Sequence, residues 1–427
     1  MIGCDYSDSY NINIKNLFLL FMVLKRYFDK AFWAPFIPFV CFMLYATAGP
    51  FIPQQSVISY ALLGVFLIYT SFSVFRMRWN DVSRVISLFV LVQFIYYLFA
   101  PSVIISMTGS YKETTARISA IIINFLPFFL AFFYSSKGKI SRNHIVLYSC
   151  LFLILSIPKF FYERSHFIEV LASNGRIKED VTVNAGYMFL ELLLFLPLIR
   201  AKKVLSIIVI IVTGFFILYS AKRGSILIYF ILLALYIPWW LKKNKKVSFI
   251  LFACFIIMGY VAIDFFSEYI YLMDRLESTA EGGPTTRDEI YSDIWNYCMI
   301  SHFQLDKFLF GFGFMSAFRM TINVAHNDWL ELLSSCGLLG ISLYLYFFYR
   351  LVKAYFQMQD KDLKKCLQML IVAWFVKTLF SMAYTSLWYM PLIMGFILGN
   401  DYYINKANYI GNKNILNNYY EKVFKHS

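Results

Sequence analysis

Long apolar stretches follow one another along almost the whole chain, separated by short polar gaps. Each runs for about 17 residues or more, enough to cross a hydrocarbon layer about 30 Å thick as a helix. Composition supports the same reading: 60% of the 427 residues are hydrophobic, 15% are charged, and mean hydropathy is +0.62. A soluble domain sits nearer half apolar and a quarter charged, so the apolar excess here needs lipid to face. The expected fold is an all-α polytopic membrane protein. The first stretch begins the series and lacks a small-residue cleavage site, so no removable signal peptide is expected.

Twelve spans are read, at about 31–49, 57–75, 85–106, 117–135, 144–162, 182–199, 204–220, 224–241, 247–265, 327–349, 366–383 and 388–404. The segment from Asn11 to Phe28 is apolar but interrupted by Lys15, Lys25 and Arg26; it reads as an interfacial helix, with an extra span as the alternative. Positive residues then set orientation. Alternate gaps carry Arg76, Arg78 and Arg84; Lys137, Lys139 and Arg142; Arg200, Lys202 and Lys203; Lys242, Lys243, Lys245 and Lys246; and the run from Arg350 to Lys365. That side collects roughly 26 of the 39 Lys and Arg against roughly 12 on the other, which makes it cytoplasmic and puts both termini inside. The chain is thus expected to be one integral domain over 1–427 in a bacterial inner membrane. It has a cytoplasmic or interfacial start at 1–30, a long periplasmic loop at 266–325 and a cytoplasmic tail at 405–427.

The net charge of +14 lies in gaps between spans and not on one folded face, which fits anionic headgroups and excludes a nucleic-acid partner. Seven cysteines, mostly within spans, show neither a CxxC pair nor metal-ligand spacing, so no disulfide framework, metal or cofactor is expected. In the long outer loop, Ile290, Ile294, Trp295, Cys298 and Met299 recur at helical spacing, while Asp288, Glu289 and Asp293 lie elsewhere. This pattern predicts a short helix lying on the outer leaflet. Unstructured loops of such length are uncommon unless functional.

Chemistry-bearing residues gather on the outer side. His326 opens the tenth span, where an imidazole can take a proton near neutral pH. Taken alone, it is more often a polar helix-entry residue than a catalyst, and Asn327 and Asp328 could equally be caps. Lys222 and Arg223, in Ser220-Ala221-Lys222-Arg223-Gly224-Ser225, form a tight cationic hairpin between the seventh and eighth spans. These cations suit a phosphate, or else snorkel to lipid headgroups. Arg287 offers a second anion contact, or pairs with Asp288 or Glu289; Arg275 and Arg319 are lesser members of the same set. Glu191 and Lys377 lie inside spans, where ionised groups pair or function. Asp360-Lys361-Asp362 matches the acidic motif of metal-dependent sugar transferases, but a three-residue match among lysines carries little.

Taken in order, these features resemble the O-antigen polymerase and ligase superfamily. The sequence has an Arg-Gly hairpin, a long outer loop with an Arg and a later Gly311-Phe312-Gly313, then His326-Asn327 followed by Leu330, Leu333, Gly337 and Gly340. The resemblance is specific over about Asn184 to Leu351 and topological before it; Asn184-Ala185-Gly186-Tyr187 also follows the family pattern. Lys222 departs from it, standing where relatives often have a small or polar residue. The resemblance implies a GT-C-like, metal-independent, inverting glycosyltransferase at the periplasmic face. Its donor is a glycan on undecaprenyl diphosphate. Arg223 and Arg287 would hold the diphosphate, with Lys222, Asn327, Arg275 and Arg319 as further binding residues, and His326 would take the acceptor proton.

Family members divide by acceptor. A polymerase extends the chain on the next lipid-linked repeat unit, and a ligase moves it to the lipid A core. The run Ala325-His326-Asn327-Asp328-Trp329-Leu330-Glu331 and the 20% aromatic content resemble the polymerase side. A chain-length regulator and a repeat-unit flippase are the partners this implies. The competing class, a lipid-linked oligosaccharide flippase, predicts charged groups lining a cavity through several spans; in the sequence such charges look sparse.

Overall fold

The computed structural model describes residues 35–47, 56–99, 111–174, 186–220, 222–241, 286–321, 324–385 and 389–424. Among these the chain is helical. The order is α1 (Ile37–Thr47), α2 (Val57–Arg76), α3 (Asp81–Phe99), α4 (Tyr111–Ser136), α5 (Arg142–Asn174), α6 (Gly186–Leu193) and α7 (Leu196–Ile199). There follow α8 (Lys203–Tyr219), α9 (Arg223–Leu241), α10 (Thr286–Asn296) running on into a π-helical turn at Tyr297–Ser301, and the short α11 (Leu305–Phe310) and α12 (Ala317–Thr321). The last three are α13 (Asp328–Gln357), α14 (Lys361–Phe380) and α15 (Met390–Phe424).

Among the described residues, five segments are long and apolar enough to cross a membrane: Val57–Arg76, Asp81–Phe99, Thr115–Ser136, His144–Ser165 and Asp328–Gln357. Ile37–Thr47, Lys203–Tyr219 and Gly224–Trp240 are shorter apolar helices. The protein is therefore a multi-pass, all-helical membrane protein. Helices stand at eleven of the twelve expected positions; the ninth, 247–265, lies outside the described residues, as does the Asn11–Phe28 segment. The sixth position is broken by a turn at Leu194 and Phe195, just ahead of Pro197, which opens α7 without an N–H to donate. The final helix passes the expected start of the tail and continues to Phe424.

Exposure follows the solvent a membrane provides. Phe75, Phe99, Ile154, Val204, Tyr349 and Phe356 point outward, whereas the interior is a continuous aromatic and aliphatic packing that includes Phe89, Phe125, Tyr344 and Trp374. Ion pairs fix helix ends away from the apolar layer. Arg350, late in α13, pairs with Asp81 at the start of α3, and Arg200 meets Asp362 at 3.1 Å. Asp360 caps α14, accepting from the backbone N–H groups of Asp362 and Leu363, both at 2.9 Å. The Asp360-Lys361-Asp362 run is thus consumed by a helix start and an ion pair.

One break in a long helix decides how the Gly311–Gly313 segment docks. Gly337, inside α13, has φ +62° and ψ −153°, which interrupts the helical ladder. The carbonyls of Ser334 and Ser335 then accept from the N–H groups of Phe312 (2.7 Å) and Gly313 (3.1 Å). A Cβ on Gly337 would stand 2.6 Å from both Gly311 N and Phe308 O. The loop glycines and the span glycine are therefore two sides of one backbone-to-backbone contact.

The outer-leaflet reading of α10 needs correction. The helix forms, but Ile290, Ile294 and Cys298 are buried against Ala317 and Ala325, with Tyr291, Met299 and Leu330 around them. Its apolar stripe closes on protein, not on lipid, and Trp295 alone of the five stripe residues is exposed. Burial accordingly pushes the Cys298 thiol up to about 11.

Candidate functional site

The start of α13 is held by an unusual density of contacts. Asn327 caps the helix, its Oδ1 accepting from Trp329 N (2.9 Å) and Leu330 N (3.2 Å), while its Nδ2 donates to Leu379 O at 3.3 Å. Asp328 is fully buried and accepts from the Ala383 N–H and the Tyr344 hydroxyl, both at 2.7 Å. Tyr344 in turn accepts from Trp374 Nε1 at 2.8 Å. Glu331, also buried, accepts from Ala325 N at 3.1 Å and from the Ser335 hydroxyl at 3.4 Å.

His326 sits between these anchors. Its φ of +50° is a left-handed conformation, which for a residue with a Cβ costs about 1 kcal/mol or more and persists only when the surroundings impose it. The surroundings do impose it: Ala325 is tied to Glu331, Asn327 is committed to the cap, and the Tyr291 hydroxyl donates to the His326 carbonyl at 3.3 Å. The imidazole is left half-buried, facing a cavity of about 340 Å³.

The cavity gathers residues far apart in sequence. Arg117 comes from α4, Lys159 and Glu163 from α5, Tyr187 and Glu191 from α6, Lys222 from the α8–α9 hairpin, and Lys377 from α14; Ser381 and Tyr389 follow. Lys377 and Glu191 are both buried and interact electrostatically there. The Lys377 and Lys222 ammonium groups stand 4.4 Å and 5.0 Å from the centroid of the Tyr187 ring. The Tyr187 hydroxyl reaches the hairpin so closely that a side chain at Gly224 would collide with it. Lys159 donates to Ala46 O at 2.9 Å and lies 4.0 Å from Glu163. Arg164 secures the approach to the hairpin, donating to Tyr219 O at 2.9 Å with its guanidinium 3.5 Å above the Tyr219 ring.

The sequence candidates divide plainly. His326 and Lys222 meet in the cavity. Arg287 is exposed and donates to Phe380 O at 2.9 Å, one residue before Ser381 of the lining, and it interacts electrostatically with Tyr187; it stands at the mouth and not in the wall. It also draws down the Tyr291 phenol, which burial raises overall. Asn327 builds the helix start with both ends of its amide. Arg223 opens α9, but its side chain, that of Arg319 and all of Arg275 lie outside the described residues. Arg117, Lys159 and Glu163 are cavity residues that sequence reasoning did not single out, and Tyr187 was noted only as part of the family pattern at 184–187. The available signal was charge inside or at the edge of an expected span, at positions 117 and 159. The few charges that lie in or beside the expected spans converge on one cavity.

The structure thus places one imidazole at the edge of a cavity lined by more cations than carboxylates, in a multi-pass helical protein. Residues 207–345 match the family model described as O-antigen ligase, which supports the superfamily of O-antigen polymerases and ligases and does not separate the two. The matched stretch includes most of α8, the hairpin, α9, α10 through α12 and the first, kinked part of α13. No curated protein and no solved structure matches the chain.

Proposed function

We propose that this protein is a membrane glycosyltransferase that moves a glycan from undecaprenyl diphosphate onto the next lipid-linked repeat unit, an O-antigen or related surface-polysaccharide polymerase at the periplasmic face of the bacterial inner membrane. The observation that carries this reading is the convergence of His326 and Lys222, from two separate motifs, on one cavity rich in cations.

In this reading an acceptor hydroxyl attacks the anomeric carbon as its bond to the diphosphate oxygen breaks, with inversion. His326 takes the hydroxyl proton, help typically worth about 10²–10⁴-fold. The diphosphate leaves with one more negative charge than it carried as an ester, and cations fixed at that position stabilise the charge where water is scarce. In this reading Lys222 serves that role from the wall, Arg223 next to it in the chain shares it, and Arg287 acts from the mouth. Asn327 acts through His326 by holding the turn in which it sits. Arg275 and Arg319 belong to the same basic loop. No metal is needed, because the leaving group meets fixed cations. Undecaprenyl-linked donor and acceptor are the substrates, with a chain-length regulator and a flippase as working partners. The polymerase reading draws on the form of the segment from Ala325 to Glu331.

The test is a polysaccharide gel from the native host lacking this gene, complemented with wild type or His326→Ala. The variant is expected at wild-type membrane abundance with transfer reduced by about 10²-fold or more; normal activity at equal abundance overturns the role. Single-repeat product in the deletion strain supports polymerase. Bare core with accumulating lipid-linked polymer means ligase, and an unchanged ladder returns the flippase reading.

A further inference from the structure

Two lysines share one aromatic ring in the cavity, and only one of them belongs to a motif already assigned. Lys377 comes from α14, beyond the segment matched to the family, and its side chain is buried. Lys222 comes from the hairpin. With ammonium groups 4.4 Å and 5.0 Å from the Tyr187 centroid, the two cations stand within roughly 10 Å of each other, where like charges repel appreciably if water is scarce. Tyr187 offsets part of this through its ring face. Glu191 offsets more, being buried in the same wall and in electrostatic contact with Lys377. Counting the lining, Arg117, Lys159, Lys222 and Lys377 still outnumber Glu163 and Glu191. A wall with such an excess is poised for an anion carrying more than one charge.

We propose that Lys377 and Lys222 grip the two phosphates of the lipid-linked donor across the Tyr187 ring, with Glu191 as the counter-charge of Lys377 when the cavity is empty. This rests on the diphosphate-donor reading above and adds to it a phosphate-binding residue from a different helix. The chemistry matches in number: a sugar diphosphate diester bears one negative charge on each phosphate, and one ammonium group faces each. Tyr187 on α6 and Lys377 on α14 are both buried, so that part of the site is in place before the substrate arrives and little ordering cost opposes binding there. Glu191 then has a defined effect: it competes with the substrate for Lys377, and removing its charge strengthens binding.

Removing Lys377 alone strands a buried carboxylate and endangers the fold. The decisive variant is therefore Glu191→Gln with Lys377→Met, which deletes both charges together. The full chain in nanodiscs is titrated with geranylgeranyl diphosphate, and with geranylgeranyl monophosphate as control, by calorimetry, alongside a melting curve. Wild type is expected to prefer the diphosphate. The double variant should melt like wild type and bind the diphosphate at least about tenfold more weakly, a difference of about 1.4 kcal/mol. Glu191→Gln alone should bind it more tightly than wild type, which a purely structural pair would not produce. A double variant that binds like wild type overturns the assignment and leaves the transferase reading standing. Wild type that does not distinguish diphosphate from monophosphate overturns the donor reading and this proposal with it.

Discussion

Two groups of buried or half-buried ionisable residues lie close together in this protein and are treated in opposite ways. At the head of α13, Asp328 and Glu331 have every oxygen directed at a protein donor: Ala383 N and the Tyr344 hydroxyl for one, Ala325 N and the Ser335 hydroxyl for the other. In the neighbouring wall, Lys377, Glu191, Lys222 and Arg117 face an open cavity of about 340 Å³. Burying a charge is expensive whichever way it is done, so each set needs its own reason. The first set repays the cost in position, locking the turn that presents His326. The second set repays it in a potential that acts on whatever enters. In the reading proposed above, a buried carboxylate enclosed by N–H and O–H groups is architecture, and an ammonium facing the cavity is recognition.

That contrast is broken most forcefully at Asp328. Asp328→Ala removes the acceptor of a backbone N–H and of a hydroxyl that stay buried, and the expected loss is about 3–5 kcal/mol. Thermal unfolding in detergent would show it, with activity falling only as folded protein disappears. Asp328→Asn keeps an acceptor for Ala383 and should lose much less, about 1 kcal/mol. Equal, wild-type-like melting for the two variants would mean that the carboxylate does not hold the turn. Next in size is Gly337→Ala. The left-handed φ of +62° and a Cβ 2.6 Å from the Gly311 and Phe308 backbone together predict a loss of about 3 kcal/mol and detachment of the Gly311–Gly313 segment from α13. Limited proteolysis of the outer loop would report the detachment, and an unchanged digestion pattern would count against the docking role of the kink.

How much of this was legible beforehand follows from the physics of each feature. Helix positions were readable because a hydrocarbon layer demands apolar length wherever a helix crosses it: helices stand at eleven of the twelve predicted places, and five of the described ones are long and apolar enough to span. The hairpin was readable because three residues between Tyr219 and Arg223 leave no alternative to a tight turn. His326 was readable from its motif, while the left-handed turn that presents it was not, since φ depends on Glu331 and Tyr291 reaching it from elsewhere. The α10 stripe was assigned to lipid because periodicity identifies an apolar face but not its partner; Ala317 and Ala325 supply that partner through the tertiary fold. Arg117 and Lys159 escaped notice for a related reason. Each reads as an ordinary charge near a span end until α4 and α5 turn both toward the same space. Asp360-Lys361-Asp362 went the other way, since a cap and an ion pair with Arg200 account for the two acidic side chains.

The smallest predicted effect is the most discriminating for the comparison, because it concerns a carboxylate on the cavity side. Glu163 lies 4.0 Å from Lys159 at the end of an i,i+4 step on α5, with its side chain 28% exposed. Such a partly wet pair contributes little to stability, typically about 1 kcal/mol or less. Glu163→Gln preserves shape and hydrogen-bonding capacity, so melting should shift by less than about 1 kcal/mol, far below Asp328→Ala. Its functional effect should have the opposite sign to its small structural cost. With one negative charge removed from a lining that already holds more cations than carboxylates, affinity for an anionic ligand rises, measurably in a salt series because the interaction is electrostatic. If Glu163→Gln melts as badly as Asp328→Ala, the cavity carboxylates are architectural too, and the division between the two groups of charges fails. If it melts like wild type and binds the diphosphate probe more tightly at low salt, the wall is tuned for its ligand at the level of single charges.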